Sequence, residues 1–116
     1  MHEISLVRNI FRTLQETMPA ADLDRVSTIR LKVGKLANVE PILMQNAFEA
    51  VVETDEPRYR QTRLEIEVVP IKVSCNHCGE VTLVENYRFV CGQCGQPTNH
   101  ILSGEELLIS GVELTD

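Results

Sequence analysis

Four cysteines stand in two closely spaced pairs, Cys75 with Cys78 and Cys91 with Cys94, and 12 residues separate the pairs. Two residues between cysteines let one tight turn aim both sulfurs at a single metal ion. A glycine follows each pair, Gly79 and Gly95, able to take the positive φ such a turn demands and to leave backbone N–H groups free to bond sulfur. Four thiolates predict a tetrahedral site with sulfurs about 2.3 Å from the ion. Zinc is the expected occupant, with iron of the rubredoxin type as the rival these ligands permit. All four positions are filled by protein, so no water remains to be activated and the site reads as structural. His77, inside the first pair, and His100, past the second, read as exposed loop histidines.

The other chemically suggestive stretch is the beginning of the sequence, Met1, His2 and Glu3. A terminal amine, the amide nitrogens that follow and a nearby imidazole wrap a square-planar d8 or d9 ion, a geometry that favours Ni(II) or Cu(II). The amine must then belong to Met1, whose removal the bulky His2 disfavours. No residues form a nucleophile–base pair or an open metal site with a general base, so no enzymatic activity is expected.

The elements that must hold these groups follow from hydrophobic periodicity. Ile4, Val7, Ile10, Phe11, Leu14 and Met18 form one apolar stripe of an amphipathic helix, with Glu3 at its start and Pro19 as its stop. Ile29, Leu31 and Val33 alternate with Thr28, Arg30 and Lys32 along a half-buried strand that Gly34 ends. A second helix starts with Glu40 at the N-cap and Pro41 at the first turn, and Leu43, Met44, Ala47, Phe48, Val51 and Val52 supply its apolar side. Residues 53–62 are polar and contain Pro57, which predicts a loop. Leu64, Ile66 and Val68 face inward from a second strand closed by Pro70. Residues 106–114 read as a last strand, although Leu107, Leu108 and Ile109 break clean alternation. The segment around the cysteines has few large apolar residues and needs metal to fold. The expected class is α+β: two helices packed on a small mixed three-stranded sheet, with an inserted four-cysteine zinc-ribbon module. Residues 1–70 plus 103–116 would form one domain, and 71–102 the ribbon.

Composition narrows the function classes. At 116 residues there is room for one domain and a small satellite. The formal net charge is -6, and from Pro70 onward there are 2 basic and 6 acidic residues. A zinc module that grips nucleic acid needs a basic face to neutralise phosphates, so the acidic ribbon half argues against that role. No run approaches the roughly 20 apolar residues of a membrane span. No basic stretch followed by an apolar block opens the sequence, which predicts a cytoplasmic protein whose thiols stay reduced.

The beginning Met1, His2, Glu3, Ile4, Ser5, Leu6 resembles that of the hydrogenase nickel-incorporation proteins, the HypA/HybF family. The resemblance continues through Ile29, Arg30, Leu31, Lys32, Val33 and Gly34, and through Val39, Glu40 and Pro41. It includes Leu64, Glu65, Ile66 and Glu67 with Pro70, both cysteine pairs, and Gly104, Glu105, Glu106 and Leu107 with Glu113. Two departures stand out: Gly92 where the family commonly has proline, and residues 53–58 where a Gly-Thr is common.

The resemblance implies a nickel metallochaperone with a nickel site on Met1, His2 and Glu3 and a separate zinc ribbon. His2 would give its imidazole, Met1 its amine, and His2 and Glu3 their backbone nitrogens. The Glu3 side chain would aid transfer or partner contact, and Glu40 lies where some members have an acidic residue near the nickel. Ni(II) would be delivered to the immature large subunit of a [NiFe] hydrogenase. The GTPase HypB and that subunit's precursor would be partners, and some relatives also serve urease. Two other classes compete: a zinc-ribbon nucleic-acid-binding module, and a zinc-ribbon adaptor without transferable metal.

Overall fold

α1 (Glu3–Thr17) is the first element of the computed structural model, which describes residues 3–116. The chain divides into two units: residues 3–31, 39–67 and 108–116, and residues 32–38 and 68–107.

In the first unit, α1 buries Leu6, Val7, Ile10, Phe11 and Leu14. The stripe lies slightly round from the expected one: Leu6 faces the core, while Ile4 in the open first turn is exposed. The helix ends before Pro19, and a short α2 (Ala20–Leu23) follows, seating Leu23 in the core. No periodic signal marks so brief a turn. α3 (Pro41–Thr54) buries Met44, Ala47, Phe48, Val51 and Val52. Leu43, expected on that side, is half exposed at 50% because, although four residues before Ala47, it lies at the margin of the stripe in the first turn of the helix.

β1 (Val26–Gly34), β2 (Arg63–Val69) and β6 (Leu107–Leu114) form a sheet in the order β2–β1–β6. Thr115 N–H donates to Arg25 O, Ser27 Oγ to Glu113 O and Ser110 Oγ to Arg30 O. Those pairings run in opposite senses, so β6 is antiparallel to β1. At the entry to β2, Thr62 Oγ1 donates to Val26 O. Arg30, on the polar face of β1, bridges the outer strands by reaching Glu65 at 3.2 Å and also Glu113. Its hydrogen bond and charge hold the Glu113 carboxyl below the usual carboxylate range. Thr28 shares that face yet is only 2% exposed. A short side chain on a central strand is covered by its neighbours, whereas Arg30 and Lys32 reach solvent. On β2, Leu64 is buried and Ile66 half-buried, but Val68 is exposed rather than inward. An edge strand has no second neighbour to cover its far end.

The expected loop at 53–62 contributes to the core. A 3-10 turn, Pro57–Tyr59, drives Tyr59 inward, where it stacks on Phe11 at 4.6 Å between ring centroids. Phe11 also stacks on Phe48 at 5.5 Å. Among the described residues the buried Tyr59 hydroxyl finds no hydrogen-bond partner, and burial pushes its pKa up. Phe11→Ala is therefore expected to cost about 3–5 kcal/mol. Tyr59→Phe, which removes an unpaired hydroxyl and keeps the ring, is expected to stay within about 1 kcal/mol of the native chain. Urea denaturation with unchanged m-values checks both.

The second unit is a small sheet in the order β4–β3–β5, with β3 at Lys72–Ser74, β4 at Val81–Leu83 and β5 at His100–Ser103. β4 and β5 are both antiparallel to β3. Ile71, Val73 and Val84 are buried together, with Leu36, Phe89 and Ile101 partly buried against them. The ribbon segment 71–102 thus completes its core with one residue from outside it, Leu36. That core is still small.

Candidate metal centre

β3 runs directly into the first cysteine turn, and β4 leaves it in the paired register Ser74 with Val81. Cys75 N–H donates to Glu80 O at 2.9 Å and Gly79 N–H to Cys75 O at 3.0 Å. The second turn repeats the pattern: Cys91 N–H to Gln96 O at 2.8 Å and Gly95 N–H to Cys91 O at 3.0 Å. Gly79 and Gly95 both sit at φ +77, a conformation that disfavours any side chain. Gly92 N–H donates to Thr82 Oγ1 and Thr98 Oγ1 to Ser74 O, which tie the second turn to β4 and β3. No spacing in the sequence singles out Thr82 or Thr98 for this role.

The turns face each other. Cys75 Sγ lies 3.6 Å from Cys94 Sγ, and Cys78 Sγ 3.6 Å from Cys91 Sγ. All four sulfurs lie within 4.8 Å of one another. A tetrahedron of sulfurs 2.3 Å from its centre has edges of about 3.8 Å, so these thiols are spaced to take one metal ion. Among the described residues, they are the only group of three or more His, Cys, Asp or Glu close enough for that. A Cβ added at Gly92 would make only ordinary contact with the Thr82 side chain, at 3.5 Å. His77 and His100 are exposed and outside the sulfur cluster.

Electrostatics explains why the site calls for a cation. Backbone N–H groups of Cys78 and His77 favour the Cys75 thiolate, and those of Cys94 and Gln93 bring Cys91 down to about 6. The Glu80 N–H favours the Cys78 thiolate as well, but the hydrogen bond to the Cys91 sulfur, burial and the other two cysteines outweigh it and push Cys78 up to about 12. Cys94 is raised too: the Gln96 N–H favours its thiolate, and burial with the Cys75 and Cys91 thiols prevails. Four thiolates therefore coexist only around a positive ion. Cys78 and Cys94 are both held above the ordinary thiol value, so metal loading is expected to release protons from them. A pH-stat titration in weak buffer reads this directly. Protons compete for the same sulfurs, so metal affinity must fall as pH falls.

The residues expected to hold nickel are placed only in part. Met1 and His2 lie outside the described residues. Glu3 is the first residue of α1 and half-buried. Glu40 occupies the N-cap position of α3, and its carbonyl accepts from Met44 N–H at 3.0 Å. Its exposed side chain makes no capping hydrogen bond, contrary to the capping role expected of it.

The α+β chain thus carries one four-cysteine cluster, among the described residues, that is spaced to hold a metal ion. Residues 1–114 match the family model described as hydrogenase/urease nickel incorporation, metallochaperone, HypA. Proteins named hydrogenase maturation factor HypA align end to end. The one from Desulfitobacterium hafniense is 33% identical, covering 100% of both chains. The one from Acidithiobacillus ferrooxidans is 35% identical, covering 98% of this chain and 99% of that one. The solution structure of the nickel metallochaperone HypA from Helicobacter pylori superposes with a TM-score of 0.65 at 20% identity, over 99% of this chain and 98% of that one. The chain belongs to the HypA family, a family of metallochaperones and not of enzymes. No helix among the described residues is long and apolar enough to cross a membrane.

Proposed function

We propose that this chain carries Ni(II) on its N-terminus and delivers it to the immature large subunit of a [NiFe] hydrogenase, while zinc in the four-cysteine site is structural. The observation that carries this reading is the family match, which starts at Met1 and runs the length of the chain. A closed thiolate set suits retention: four sulfurs fill the coordination sphere and leave no position for an acceptor to enter. Zinc there would tie the two turns together and supply no reaction chemistry. The cargo then needs another site.

Glu3 at the first position of α1 fits that need. The amides of a first helical turn have no intrahelical acceptor, so the Glu3 N–H is free to be replaced by a metal. The positive end of the helix dipole repels a bare cation, but it favours the deprotonated amides that bind square-planar nickel. His2 supplies the imidazole and Met1 the amine, with the Glu3 carboxylate beside them. Glu40, whose exposed side chain makes no capping hydrogen bond, serves as the additional acidic group. The unit with α1 and α3 is then the nickel-handling domain, and the ribbon is the zinc domain. The GTPase HypB and the large-subunit precursor are the partners, and urease maturation is a second destination.

Transfer is tested by mixing nickel-loaded, zinc-loaded protein with metal-free large-subunit precursor, separating them and measuring nickel in each. The expected result is nickel in the precursor and zinc retained on the ribbon. Nickel that stays behind, or zinc that moves with it, contradicts the proposal.

A further inference from the structure

The four cysteines of the ribbon do not share one environment. Cys75 and Cys91 are buried, whereas Cys78 and Cys94 are exposed. The two 3.6 Å approaches each join one cysteine of each kind, Cys94 to Cys75 and Cys78 to Cys91. Both approaches also cross from one turn to the other. Each therefore sets an exposed sulfur, the kind an oxidant reaches, beside a protected sulfur able to resolve it. The hydrogen bonds from Gly92 N–H to Thr82 Oγ1 and from Thr98 Oγ1 to Ser74 O hold the turns in this opposition. A disulfide needs its sulfurs about 2.05 Å apart, so closure asks only for a small shift of one turn toward the other.

We propose that the four-cysteine cluster is also an oxidation site, which hydrogen peroxide converts into two cross-turn disulfides, Cys75 with Cys94 and Cys78 with Cys91, expelling the metal. The expulsion rests on the reading that zinc occupies the cluster in the reduced chain. The thiolate of Cys78 or Cys94 attacks the peroxide and takes one oxygen as the O–O bond breaks. The sulfur becomes a sulfenic acid, and the other oxygen leaves as hydroxide and is protonated to water. The thiolate of the buried partner then attacks the sulfenic sulfur, forms the S–S bond and displaces a second hydroxide, also protonated to water. Each disulfide thus takes two electrons from two thiolates and consumes one peroxide. Two such bonds use all four ligands, and a disulfide sulfur carries no negative charge to offer zinc, which departs as Zn(II). The pairing decides what remains. Bonds within each turn would leave the turns unlinked and the ribbon without its tie. Cross-turn bonds replace the tie that zinc supplied, so the oxidised ribbon keeps its fold.

The test treats the reduced, zinc-loaded full chain with hydrogen peroxide, alkylates any remaining thiols and desalts it for elemental analysis. Trypsin then cuts after Arg88, which lies between the two turns. The expected result is loss of all four free thiols and of the bound zinc. The two cysteine peptides should stay joined by disulfides, and electron-transfer fragmentation should place the bonds at Cys75 with Cys94 and Cys78 with Cys91. At limiting peroxide, dimedone should mark Cys78 and Cys94 and spare Cys75 and Cys91. Amide NMR signals of residues 68–107 should remain dispersed after oxidation, and dithiothreitol with added zinc should restore the starting spectrum. Separate peptides, each bridged within its own turn, overturn the proposal. So does a bond between Cys75 and Cys91, sulfinic acid formed without pairing, or collapse of the ribbon signals. Zinc measured before the peroxide is added tests the structural-zinc reading by itself: a reduced chain without zinc overturns that reading, while the peptides still decide the pairing.

Discussion

Cys91→Ser is expected to abolish stoichiometric zinc binding and to unfold the second unit, while the helices of the first persist. Cys91 is buried, receives the Gln93 N–H at 3.4 Å and lies 3.6 Å from Cys78 Sγ. Serine keeps the volume but supplies a poor zinc ligand and loses the low-lying thiolate. Structural zinc contributes roughly 10–16 kcal/mol of apparent binding energy at pH 7 in small modules. Whole domains are stable by only about 5–15 kcal/mol. The three buried residues Ile71, Val73 and Val84 cannot replace such a term. Elemental analysis and amide NMR spectra check the result: signals from residues 68–107 collapse and those of α1 and α3 remain dispersed. Retained zinc with a folded ribbon would contradict the structural role, and loss of every dispersed signal would contradict two separable units.

The second large effect is expected at Gly34. A Cβ there would lie 2.0 Å from Gly104 O, 2.1 Å from Gly104 C and 2.6 Å from Glu105 N. All three are backbone atoms, which no rotamer change can move aside. Gly104 is itself fixed at φ +114, with Ile71 Cγ1 2.9 Å from where its own Cβ would be. Two bonds hold the stack, Leu36 N–H to Gly104 O and Gly34 N–H to Glu106 O, each 2.7 Å. Gly34→Ala must part these strands and break at least one bond. It is expected to cost more than the roughly 1–3 kcal/mol of ordinary overpacking. The melting temperature of the zinc-loaded protein should fall by about 12 °C or more. Gly111→Ala, in open space, is the matched control and should leave it within about 3 °C. Equal melting temperatures for the two variants would show that the strands part at no cost.

The sequence made the metal centre legible because its chemistry is local. Two residues between cysteines and a glycine after each pair specify the turn, and the sulfurs lie where that spacing requires. The helices α1 and α3 and the strands β1 and β2 are readable from apolar periodicity, whereas β6 is so only in outline, because Leu107, Leu108 and Ile109 break its alternation. What escaped depends on partners distant in the chain. Tyr59 lies in a polar, proline-containing stretch, and only its stacking on Phe11 shows that it is core. Thr28 looks like a surface residue until β2 and β6 flank it. Leu43 and Val68 are apolar but face outward, because periodicity gives a stripe and not its edges. Gly34 reads as a strand terminator, yet its stringent requirement comes from Gly104, far along the chain. The short β3, β4 and β5 carry no period long enough to detect. The proposed nickel ligands follow a different logic, since Met1 and His2 acquire meaning only from the family the chain belongs to.

In the proposed function, nickel sits on the terminal amine and His2. It is tested by titrating Ni(II) into three zinc-loaded proteins: the native chain, His2→Ala, and a chain with one residue added before Met1. Visible absorption of a square-planar d8 ion reports the site. One equivalent with that spectrum is predicted for the native chain, and its loss in both variants. Undiminished, stoichiometric binding with the same spectrum in both variants would place the nickel elsewhere.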